Sequence, residues 1–93
     1  MTNLDIDKIR SEIPSLEKLI YMNTGGTGPM ARAAIDAITE TYQTIGTQGP
    51  DAPTVLGPIL ERLEQTREAI ARFFGVTSEE IAFVRAVSEG LCT

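Results

Sequence analysis

The sequence contains no histidine and no tryptophan, a single cysteine and two lysines in 93 residues. The missing histidine removes the commonest general base, the commonest metal ligand and every Ser-His or Cys-His pair. Cys92 alone cannot close an internal disulfide, and no Cys/His spacing for a metal exists. No apolar run reaches 18 residues, so no membrane-spanning helix is expected. The first residues carry Asp5 and Asp7 and no apolar h-region, which excludes a secretory signal in this stretch. A net charge of −5 argues against a nucleic-acid surface and against anionic membranes. A cytoplasmic, reduced setting is the expectation.

What is present is ordinary for a folded chain. Hydrophobic residues make up 42% and charged residues 23%, so the segment is expected to be globular rather than disordered. At this length the stability margin of an isolated domain is narrow. No repeat and no domain boundary is visible, and residues 1–93 read as one segment.

The pattern predicts three amphipathic helices and two short strands. Leu4, Ile6, Ile9 and Ile13 give the first helix, from Leu4 to Ile13, with Pro14 ending it. Leu19-Ile20-Tyr21-Met22 is a short β-leaning run that enters a glycine-rich loop. A helix is expected from about Met30 to Ile45, with Thr27 or Gly28 as its N-cap, Pro29 in its first turn and Gly46 and Gly49-Pro50 as its stop. Another is expected from about Thr54 to Phe74, with Pro58 in its first turn and Gly75 as its C-cap. Its apolar positions include Leu56, Leu60, Leu63, Ile70 and Phe74. Left without a covering partner, that face invites association or molten behaviour. Ile81-Ala82-Phe83-Val84 reads as the second strand, and Ser88-Glu89-Gly90 as the opening of a further helix.

Two places carry chemistry. Asn23, Thr24, Gly25, Gly26, Thr27 and Gly28 put hydroxyls, an amide and three glycines between a strand and a helix. Glycine permits positive φ and close backbone approach to a ligand, and free N–H groups at the next helix start favour an anion. A plain connecting turn is the alternative, and the loop is neither a Walker-type nor a dinucleotide fingerprint. Val87 and Ser88 stand where a strand gives way to a helix N-terminus, a phosphate-holding arrangement of hydroxyl, free N–H groups and dipole. Simple helix capping by Ser88 is the alternative there. Glu61, Glu64 and Glu68 read as a solvated face, Phe73-Phe74 as core, and Cys92 as a buried, inert thiol.

The order of these pieces resembles the start of class V aminotransferases, the group that includes cysteine desulfurases, C–S lyases and isopenicillin N epimerase-like proteins. The matching stretches are Ile9–Leu16, Leu19–Pro29, Thr66–Gly75, Glu79–Val84 and Arg85–Leu91. The resemblance implies an α/β, fold-type I enzyme that uses pyridoxal 5′-phosphate (PLP) on a small amino acid and works as a homodimer. It implies that Asn23–Gly28 lines the substrate side and meets the substrate carboxylate, and that Val87 and Ser88 meet the cofactor phosphate. Val87 stands where many relatives carry Thr or Ala, and Cys92 where many carry Asn.

The same resemblance implies that the cofactor-bearing lysine, the acid on the pyridine nitrogen and the aromatic stacked on the ring all lie further along. Neither Lys8 nor Lys18 matches the lysine position. This segment is therefore expected to hold no catalytic residue and to be the incomplete N-terminal part of such a domain, inactive by itself. A truncated non-catalytic relative, a gene fragment or a small helical interaction module is the competing expectation.

Overall fold

The computed structural model describes residues 3–92. The chain divides into two units, Met1–Gly49 and Pro50–Thr93. The described residues hold four α-helices, two 3₁₀ turns and no strand.

In the first unit, α1 spans Ile6–Ser11. Asp5 caps it, its carboxylate accepting the Lys8 N–H at 3.0 Å, which satisfies one of the donors a helix start leaves open. A 3₁₀ turn covers Pro14–Glu17, with Pro14 in its first positions. Helix α2 runs from Arg32 to Gln48. It begins two residues later than the pattern predicts and ends three residues later. Pro29 precedes the helix, and the N-cap is Ala31, with no side-chain cap. The Arg32 N–H instead donates to the Glu12 carbonyl at 2.8 Å, and its guanidinium pairs with Glu17 at 3.5 Å. Gly46 does not stop the helix. Gly49 does, at φ 90°, with its N–H on the Ile45 carbonyl. Four threonines of α2, at 39, 41, 44 and 47, each return their hydroxyl to the carbonyl four residues back. That back-bonding gives each hydroxyl a local partner, at a slight cost to helix stability.

In the second unit, α3 spans Pro53–Phe74. Pro58 falls in its second turn rather than its first and supplies no N–H to the helix ladder. The C-terminus closes as a Schellman motif. Gly75 lies in the left-handed region at φ 70°, ψ 32°, its N–H bonds the Arg72 carbonyl, and the Val76 N–H reaches the Ala71 carbonyl at 3.0 Å. A 3₁₀ turn at Ser78–Glu80 follows, then α4 at Val87–Leu91.

The two expected strands, Leu19–Met22 and Ile81–Val84, are not formed. A strand exists only when a neighbour supplies a ladder, and neither stretch makes a ladder hydrogen bond. Ile20 and Met22 are 92% and 90% exposed. The described residues are mainly helical, as expected, and the two expected strands are the part that is corrected.

Burial is scant. Among the described residues only Val55 and Ala71 are buried. The chain exposes 8191 Å². A packed 10.1 kDa globule exposes about 5,300 Å², and two separately packed halves about 6,400 Å². Leu56, Leu60, Leu63 and Phe74 stand exposed along one stripe of α3, with Ile70 half-buried. Phe73 and Phe74 meet edge to face at 5.2 Å but remain mostly exposed, so the expected core role for this pair is not realised.

Candidate functional site

The glycine loop is a compact turn built on one carbonyl. The Asn23 carbonyl accepts both the Gly26 N–H at 3.0 Å and the Thr27 N–H at 3.1 Å. The Tyr21 hydroxyl donates to the Thr27 carbonyl and lies 3.5 Å from the Asn23 carbonyl. None of Gly25, Gly26 and Gly28 has positive φ. The expectation that these glycines serve left-handed backbone is therefore corrected. At Gly26 the space is tight: a Cβ there would lie 3.1 Å from both Nδ2 and Oδ1 of the exposed Asn23 side chain, which would have to shift by a few tenths of an ångström.

This geometry divides the loop's donors into two groups. Gly26 and Thr27 spend their N–H groups inward. The N–H groups of Thr24, Gly25 and Gly28, the Asn23 amide and the hydroxyls of Thr24 and Thr27 have no partner among the described residues. No charged residue occurs from Leu19 to Ala31. The loop is an uncharged cluster of donors, suited to an anion held by hydrogen bonds rather than by an ion pair. The start of α2 adds less than the sequence pattern predicts, because its first N–H is already taken by Glu12.

The turn into α4 is organised by a pair that the sequence reading did not single out. The Arg85 N–H donates to Glu89 Oε2 at 2.7 Å, and its guanidinium reaches both carboxylate oxygens, at 3.2 and 3.3 Å. Those bonds, the side-chain ones first, hold the Glu89 carboxyl below the ordinary glutamate value of 4.5. Ser88 is not the cap, since the N-cap is Ala86. The N–H groups of Val87 and Ser88 and the Ser88 hydroxyl have no partner among the described residues. They are donors of the kind that hydrogen-bond an anion. No lysine or arginine neighbours them other than Arg85, which is 91% exposed and paired with Glu89. The signal for the pair was present as an i, i+4 Arg/Glu spacing.

Asn23–Thr27 belongs to the first unit and Val87–Ser88 to the second. Each place stands as a partial donor set. Cys92 is exposed, not buried as expected. The described residues hold no cluster of His, Cys, Asp or Glu able to bind a metal. None of their helices is long and apolar enough to cross a membrane.

The chain is similar to two curated proteins. One, from Methanothermobacter thermautotrophicus, is named a probable cysteine desulfurase and is 27% identical over 86 residues, 91% of this chain and 22% of that protein. The other, from Streptomyces coelicolor, carries the same name and is 29% identical over 97 aligned residues, 95% of this chain and 23% of that protein. The chain therefore spans less than a quarter of the length of these relatives. Neither a family model nor a solved structure matches it.

Proposed function

We propose that this chain is part of a PLP-dependent enzyme of the class V aminotransferase, fold-type I kind, acting on a small amino acid. Within that class, carbon–sulfur cleavage of cysteine is favoured over transamination or epimerisation. The carrying observation is the similarity to two probable cysteine desulfurases across nine-tenths of the chain. The two unpaired donor sets support it. Under this reading Asn23, Thr24, Gly25, Gly26 and Thr27 bind the substrate carboxylate, and Val87 and Ser88 bind the cofactor phosphate through N–H groups and the Ser88 hydroxyl.

Bound PLP supplies the electron sink for breaking a bond at the substrate α- or β-carbon. The segment's own part is to fix two anionic groups, one on the substrate and one on the cofactor. Such fixing lowers the entropy cost of bringing the reacting atoms together. The lysine that anchors the cofactor is assigned to a region outside this chain, because neither Lys8 nor Lys18 stands at a position that matches the family's lysine. Without it the 93 residues alone are inactive. A homodimer in the cytoplasm completes the reading.

The exposed apolar stripe of α3 favours a second reading, a non-catalytic helical module that docks on a partner. The two readings part on one experiment. A longer protein carrying this segment and supplied with PLP releases sulfur from cysteine under the first reading. A protein that takes up no PLP and turns over no amino acid favours the second.

A further inference from the structure

The Asn23–Thr27 loop is braced by a side chain that lies outside it. Tyr21 is half-buried, while its neighbours Ile20 and Met22 are almost wholly exposed. Its hydroxyl gives its proton to the Thr27 carbonyl at the far end of the turn and stands 3.5 Å from the Asn23 carbonyl at the near end. One phenol thus spans both ends. The Gly25-Gly26 pair between them has the greatest conformational freedom of any dipeptide. An uncharged loop has no strong Coulombic attraction to offset the ordering of that backbone when a ligand arrives. Its donors hold an anion well only if their arrangement is preset.

We infer that Tyr21 is the positioning residue for this loop. It presets the Asn23, Thr24 and Gly25 donors for the carboxylate of a small amino acid. The ligand assignment rests on the reading proposed above, while the brace does not. Gly26 cooperates by leaving space for the Asn23 amide, which a Cβ would meet at 3.1 Å.

Tyr21→Phe keeps the ring and removes only the hydroxyl, so it tests the brace without emptying the site. In the 93-residue chain, hydrogen exchange at the Gly26 and Thr27 amides is expected to speed up about 3- to 10-fold. Exchange in α2 should be unaltered. In the longer protein, KM for the amino acid rises by a similar factor, kcat shifts by less than about 2-fold, and cofactor absorbance is unaltered. Gly26→Ala is the second variant. It displaces the Asn23 amide and raises KM, and it leaves the Tyr21–Thr27 bond in place.

Unaltered exchange at Gly26 and Thr27 in Tyr21→Phe overturns the brace. Faster exchange with an unaltered KM overturns the positioning role. Faster exchange in a protein that takes up no cofactor refutes the proposed function and the assigned ligand, and confirms the brace alone.

Discussion

Arg67 donates a hydrogen bond to the carbonyl of Ile81 at 2.6 Å, and its guanidinium carbon stands 5.5 Å from the centre of the Phe83 ring. Its Nε also lies 3.3 Å from Glu64. One half-buried cation therefore ties the segment after the second 3₁₀ turn to α3. A charge-assisted hydrogen bond is worth about 1.5–3 kcal/mol, and a partly exposed cation–π contact about 0.5–1 kcal/mol. Partial exposure of Arg67 lowers the combined figure. Arg67→Ala is expected to destabilise the second unit by about 1–2 kcal/mol. Urea unfolding followed by circular dichroism reads this as a lower midpoint. Arg67→Lys recovers only part, because a lysine lacks the planar fork.

Two glycines should respond to alanine in opposite directions. Gly75 sits at φ 70° as the left-handed cap of α3, where a Cβ costs about 1–2 kcal/mol. Gly46 lies inside α2 with open space where its Cβ would go. Gly46→Ala is expected to stabilise α2 by about 0.5–1 kcal/mol. Thermal melts of the two variants should move to opposite sides of the parent chain. Movement in the same direction would refute the helix boundaries.

Acid should loosen both carboxylate-held turns. The Glu80 carboxylate accepts the Thr77 N–H at 2.8 Å and the Thr77 hydroxyl at 3.1 Å, and these bonds, the backbone one first, lower its pKa from 4.5. Glu89 is lowered from the same value, chiefly by Arg85. For a carboxyl depressed in the folded state, the stabilisation is present above the unfolded value and is lost as pH falls through the folded value. Glu80 is exposed and Glu89 partly so, and the change is local. Backbone amide shifts of Thr77 and Arg85, followed by NMR from pH 6 downward (a range set to bracket the ordinary glutamate value), should titrate below 4.5. Midpoints at or above that value would contradict the two turns.

The exposed stripe of α3 should drive association of the chain on its own. Leu60 and Leu63 are 52% and 41% exposed within it. A double change of both to Asp is expected to shift the sedimentation profile toward monomer and to reduce binding of a hydrophobic dye. A wild-type chain that sediments as a monomer and binds no hydrophobic dye would contradict this.

Much of the helical frame was legible in the sequence. The spacing from Leu56 to Phe74 is dictated by a 3.6-residue period, and Gly75 ends it for a reason specific to glycine. Pro29 and Gly46 misled, because the start of α2 is set by a tertiary bond from Arg32 to Glu12 and local propensity could not stop the helix at Gly46. The strands at Leu19–Met22 and Ile81–Val84 failed for a different reason: β-leaning residues mark a willingness to pair, and pairing needs a second strand. Arg67 was not among the residues singled out in the sequence. Yet it falls on the stripe with Leu60, Leu63, Ile70 and Phe74, and that register was the available clue. At the site, the donor-rich character of Asn23–Thr27 was readable from residue types. The inward use of Gly26 and Thr27, and the role of Tyr21, needed the backbone path.

The central claim is that this segment belongs to a PLP enzyme. Its most direct test is the visible absorbance of the longer protein carrying these residues, purified in the presence of PLP. A yellow protein is expected, its band abolished by borohydride with the label on a lysine outside residues 1–93, and the band weakened in the Ser88→Ala variant. A colourless protein, or a label confined to Lys8 or Lys18, would contradict it.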